Sequence, residues 1–203
     1  MPVADHQMRR ASDEGNLGDT SPDAGAERRF IGTVVHGWLE RIAQQGLDHW
    51  SLERLDEMHE RIKRQLLNLG CPAPEVVTAA QDVERCLAAT LSGEKGRWVL
   101  HDHTLGECEL PLSGLYEGER IEAVVDRTFV DERDVRWIID YKTSSPRHDE
   151  QMPAFLEREQ QRYFAQISSY VTLFAALEPS RRVVGALYFP TLDTLHVVAE
   201  HYS

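Results

Sequence analysis

The chain has 203 residues, 41% hydrophobic and 28% charged, with a formal net charge of −12. That is the size of one globular domain, and no apolar run approaches the ~20 residues that span a bilayer. The balance of 34 acidic against 22 basic residues argues against broad electrostatic coating of nucleic acid, but not against a local basic contact beside metal-binding carboxylates.

Residues 1–26 are rich in Asp, Gly, Ser, Ala and Pro without periodicity, and read as a disordered leader or interdomain linker before a domain over 27–203. They contain no apolar core of a secretory signal. The three cysteines, Cys71, Cys86 and Cys108, form no CxxC pair. Neither a disulfide framework nor a zinc or iron–sulfur cluster is indicated, and a reducing cytoplasm is the expected home.

Helical spacing starts near Glu27, with Ile31, Val34, Val35, Trp38, Leu39 and Ile42 on one stripe and Gly46 placed to end it. Helices are also expected over 51–69, stopped by Gly70, and over 73–91. The pattern then turns to strands, over 97–101, 107–112, 120–130 and 135–142. The turn 131–134 makes a hairpin of the last two. A long helix follows Pro153, with Phe164, Ile167, Tyr170, Val171 and Phe174 on its stripe. Two strands, 183–190 and 194–200, close the chain. The order predicts an α/β fold in which helices cover a mixed sheet.

The stretch IEAVVDRTFVDERDVRWIIDYKTS carries the chemistry. Asp140 and Lys142 are two apart on one strand and share a face. Asp126 joins them if the hairpin pairs even-numbered residues with even ones, which makes the loop 131–135. Val124 and Ile138 would lie on that face and cover it. Two like charges facing each other across a strand pair oppose folding; a hard divalent cation resolves the conflict, and Mg²⁺ suits carboxylates plus a substrate phosphate. The bland reading is the polar face of a half-exposed sheet.

A carboxylate, a spacer and Asp-x-Lys on the next strand are similar to the PD-(D/E)xK nuclease signature. IIDYKTS, with GTVVHGWLE upstream and QISSY downstream, resembles the RecB-type nuclease domain, the C-terminal part of AddA and RecB helicase–nuclease subunits. The likeness spans about 30–190. FPTLDT resembles the final strand of AddA-like chains.

The resemblance implies a restriction-endonuclease-like core, a central mixed sheet flanked by helices. It implies metal binding by Asp126, Asp140, His36 and the backbone carbonyl of Tyr141, with Lys142 as the catalytic lysine. Gln166 and Tyr170 match the family's glutamine–tyrosine motif, and Glu109 matches an acidic position earlier in the sheet, with Glu107 as its neighbour. The expected function is a Mg²⁺- or Mn²⁺-dependent, exodeoxyribonuclease V-like DNA nuclease in double-strand break repair. DNA, single-stranded by preference, a helicase motor and an AddB-like subunit are the implied partners.

AddB-type relatives hold an iron–sulfur cluster on four cysteines, so no cluster is expected here. No GxxxxGK[ST] loop is present, and ATP would serve only a helicase portion outside this sequence. A non-catalytic module that binds DNA ends or a partner, and a free-standing exonuclease or resolvase, are the competing functions.

Each position has an ordinary alternative. His36 shares a helix face with Gly32, which permits close approach to the sheet, and a helical His is commonly structural. Tyr170, with Tyr163 on the same side, reads as a core aromatic. His101 and His103 form an HxH pair better suited to a turn than to zinc. Glu122 suits a strand-end ion pair as well as a place beside the site. DNA contact is expected from Arg158, Arg162 and Lys142.

Overall fold

A computed structural model describes residues 22–202; most of the leader expected over 1–26 lies outside the described residues. Helix α1 (Pro22–Gln45) is followed by α2 (Leu52–Asp56), α3 (His59–Asn68), α4 (Val76–Ser92) and α5 (Glu94–Leu100). Strands β1 (Thr104–Tyr116), β2 (Glu119–Val130) and β3 (Arg136–Tyr141) come next, then α6 (Met152–Leu177), β4 (Val183–Phe189) and β5 (Thr194–His201). The strands form one sheet in chain order, with β3 and β4 parallel and the other neighbours antiparallel. This is the mixed sheet flanked by helices that the sequence predicts.

The helices α1 to α5 bury Val35, Trp38, Leu39, Ile62, Leu66 and Leu87 against one face, where Phe129, Ile139, Tyr141 and Tyr188 meet them. Helix α6 covers the other face through Ile167, Tyr170 and Val171 against Ile138, Leu187 and Phe189. It sits close because β4 and β1 offer glycines: a Cβ on Gly185 would lie 2.4 Å from Ile167, and one on Gly114 2.3 Å from Leu173.

Several expectations need correction. Residues 97–100 are not a strand but the second half of α5, with His101 just beyond its end. Asp193, far downstream, accepts hydrogen bonds from the backbone N–H groups of Lys95 (3.2 Å) and Gly96 (2.6 Å), a cap that no local pattern announces. The helix expected over 51–69 breaks at Glu57 and Met58 into α2 and α3, with Leu55, Ile62 and Leu66 keeping one buried stripe. Phe164 is 52% exposed, whereas its neighbour Tyr163 is buried. Glycines do end α1 and α3, at Gly46 (φ 85°) and Gly70 (φ 94°).

The hairpin register is the even-to-even one. Arg127 pairs with Ile139, Thr128 with Ile138 and Val130 with Arg136, which leaves 131–135 as the loop; the pairing ends one step before Asp126 and Asp140.

The period-two alternation, however, changes phase one step further along. Val125 belongs to the core under α6 and Phe129 to the opposite core, although both are odd-numbered. On β1, Leu110 and Leu112 face α6, but Cys108 meets Arg127 on the far side. The breaks coincide at Glu109, whose φ is +50°, and Asp126, which stands opposite it between Cys108↔Arg127 and Leu110↔Val125. Val124 therefore does not share the face of Ile138.

Candidate metal centre

Five elements contribute to one site where β2 and β3 separate. Helix α1 presents His36, whose Nδ1 lies 3.4 Å from Asp126 Oδ1. Its ring stands edge-on to Tyr141, with centroids 5.6 Å apart. Ligand atoms of His36, Glu109 and Asp126 all lie within 4.8 Å of one another, the one such metal-capable group among the described residues. The phase change is what brings Glu109 and Asp126 to this spot. Glu107, the alternative considered for the acidic position, is exposed.

The second half of the site stands on β3 and α6. Asp140 Oδ2 lies 2.9 Å from Lys142 Nζ, and both residues are nearly enclosed. Asp140 Oδ1 accepts from Gln166 Nε2 at 3.0 Å, and the same amide donates to the Tyr170 hydroxyl at 2.9 Å. Asp126 bridges the halves, because its Oδ2 accepts from the Tyr141 backbone N–H at 2.7 Å where a regular strand pair would have continued. The Tyr141 side chain points away into the core of the α1 face.

The charges are arranged unevenly. Burial alone would lower the His36 pKa, but the adjacent Asp126 carboxylate outweighs it and raises it. Burial opposes ionisation of Asp126, yet His36 and the Tyr141 N–H hold its pKa below the ordinary value. At Asp140 burial dominates, and with the charge of Asp126 it raises the pKa in spite of Lys142. Burial first, and then Asp140, push the Tyr170 phenol up to about 12, so at neutral pH it remains a neutral hydroxyl.

An imidazole and two carboxylates, with a third carboxylate across the splayed strands, are the hard donor set that suits Mg²⁺ or Mn²⁺ rather than a closed tetrahedral zinc site. Asp140 is disfavoured as an anion where it stands, which a nearby dication would relieve. The residues fit such an ion.

Other candidates separate from the site. His103 Nε2 lies 2.7 Å from the Trp98 carbonyl and its ring stacks on Phe129, while His101 is exposed, so the HxH pair is structural. Glu122 is exposed and pairs with Arg120. Arg158 is committed to Glu150 and Glu159, which removes it from the expected phosphate contacts. Sequence reasoning assigned nothing to Glu159, fully buried on α6, or to the contact between Tyr163 and Lys142. The legible signal was their spacing, Glu159 seven and Tyr163 three residues ahead of Gln166, on the same helix face.

Among the described residues no helix is long and apolar enough to cross a membrane. No curated protein matches the chain. Solved structures that match include one described as the crystal structure of SSO0001, 15% identical, with a TM-score of 0.33, covering 86% of this chain and 81% of that one. The family model for the PD-(D/E)XK nuclease superfamily matches residues 7–201. Its members are in general metal-dependent nucleases, typically of Mg²⁺ or Mn²⁺, and such a domain binds DNA. On a match of that extent, the chain belongs to the PD-(D/E)XK nuclease superfamily.

Proposed function

We propose that this chain is a Mg²⁺- or Mn²⁺-dependent deoxyribonuclease of RecB/AddA type. It would serve as the nuclease portion of a helicase–nuclease, hydrolysing phosphodiester bonds of single strands during double-strand break repair. The observation that supports the reading is the grouping of His36, Glu109 and Asp126 within 4.8 Å beside the buried Asp140–Lys142 pair.

His36, Asp126 and Asp140, with Glu109 and the Tyr141 carbonyl, would hold the ion. When bound, it supplies Lewis-acid activation of water and neutralises charge on the phosphoryl group. Lys142 brings a point charge for the transferring phosphoryl group, where such contacts are worth most in the transition state. Gln166 fixes the Asp140 carboxylate, and Tyr170, a neutral phenol, accepts from the Gln166 amide and keeps it turned toward Asp140. The net charge of −12 leaves DNA contact to a few local cations, Arg162 among them.

The test is cleavage of end-labelled single- and double-stranded DNA with Mg²⁺ or Mn²⁺, repeated in excess chelator. Metal-dependent cleavage is expected; DNA binding with no cleavage at any metal concentration would move the chain to the non-catalytic class. Forked duplexes, with and without an unwinding motor, test the helicase link. A rate indifferent to unwinding would remove that part of the reading.

A further inference from the structure

Helix α6 carries two polar residues ahead of Gln166 and Tyr170 that the site chemistry leaves unused. Tyr163 lies three residues before Gln166, and Glu159 four before Tyr163, so all of them line one side of the helix. The Lys142 Nζ lies 4.1 Å from the centroid of the Tyr163 ring. Lys142 is 5% exposed and Tyr163 7%. A lysine ammonium is a compact, strongly hydrated charge on a flexible stem, and taking it out of water requires compensation from every side. Asp140 supplies one side of the compensation. The ring face supplies another, with the quadrupole's negative centre under the charge.

Glu159 braces the backbone next to this lysine. Its Oε2 accepts from Ser144 Oγ at 2.7 Å, two residues beyond Lys142, and Arg158 neutralises its charge. On the other side, the Lys142 backbone N–H donates to the Tyr188 carbonyl at 2.9 Å. The segment that carries the ammonium is held on both flanks, and the ring then settles where the ammonium itself stands.

We propose that Tyr163 is a positioning residue for the nuclease reaction: its ring face holds the Lys142 ammonium where the transferring phosphoryl group is met, with the Glu159–Ser144 bond fixing the backbone beneath. The proposal rests on the nuclease reading of the site, and adds to it a residue that acts through Lys142; the ring also meets Arg162 at 5.1 Å, whose loss as a DNA contact would show in KM instead.

A fluorination series at position 163 tests it. Tyr163→Phe is the parent, and mono-, di- and trifluorinated phenylalanines at the same position drain the ring face with little change of shape. Expected is a stepwise fall in kcat, on the order of fivefold across the series, with KM and Tm held at the parent's values. Tyr163→Leu should fall at least as far.

A second readout needs no metal and no DNA. The Lys142 ε-methylene protons should show an upfield ring-current shift by NMR, kept in Tyr163→Phe and lost in Tyr163→Leu. A flat kcat across the series in a protein that cleaves DNA, or an unshifted Lys142 signal in the wild type, overturns the role of Tyr163. A wild type that cleaves nothing with either metal overturns the nuclease reading and takes the positioning role with it, while the ring-current signal remains.

Discussion

The two halves of the metal centre solve the same problem in opposite ways. His36, Glu109 and Asp126 bring three ligand atoms within 4.8 Å of one another, with the Tyr141 backbone N–H donating to Asp126. Asp140 already has a cation at 2.9 Å and an amide donor at 3.0 Å. One half gathers ligand atoms, and the other is built on a lysine–carboxylate pair. Acidic residues in a site of this kind are therefore not equivalent: the half that gathers three ligand atoms should dominate metal affinity, and the half built on the Asp140–Lys142 pair should tune reactivity.

The largest effect that could break this comparison is Asp126→Ala. It removes a ligand, strands His36 beside a vacated position and frees the Tyr141 N–H. Cleavage should vanish together with calorimetric metal binding, and retained metal binding would show that the halves are not divided as described. Lys142→Ala comes next. Turnover should fall ~10²–10³-fold, but metal binding should persist or tighten because a cation has left the neighbourhood of Asp140. Loss of metal affinity in that variant would make the lysine a structural counter-ion.

Gln166→Ala sharpens the picture with a smaller change. Asp140 loses one charge-assisted donor, and single-turnover cleavage should slow about tenfold, with metal affinity nearly kept. The smallest effect lies outside both halves. Hydrogen bonds from Arg158, and then from the Arg147 backbone N–H, lower the Glu150 pKa from 4.5 to about 2. A depressed carboxyl pKa stabilises the fold above the unfolded value and loses that contribution as pH falls toward the folded one. Glu150→Gln should therefore lower Tm at pH 6, and the gap from wild type should close as the pH approaches 2.

Much of this was legible in sequence where the information is local. Asp140 and Lys142 share a strand face by simple alternation, and a loop over 131–135 fixes the hairpin register. The phase change at Glu109 and Asp126 was not legible, because it depends on a +50° φ that no glycine or proline marks. One trace existed: continued alternation would have placed Arg127 with the apolar residues Ile121, Ala123 and Val125. Helix α5 was misread because its cap comes from Asp193, nearly a hundred positions away. Phe164 falls on the apolar stripe by its spacing from Ile167 and Val171, yet it is exposed. The space beside Lys142 and Ser144 calls instead for an aromatic face and a carboxylate, which Tyr163 and Glu159 supply.

The strand order also has a kinetic consequence. Three of the four strand pairs join neighbours across short connections, so they can zip from their turns. The parallel pair β3–β4 must wait for a crossover containing all 26 residues of α6. Closing that loop carries the largest entropy cost in the sheet, and non-local pairing of this kind sets folding rates. The Lys142 N–H to Tyr188 carbonyl bond belongs to that junction. During synthesis the β1–β3 meander can form as soon as it emerges, but Lys142 gains its strand partner only after the chain has been made through Tyr188. The reactive half of the centre therefore cannot be completed before that crossover has closed.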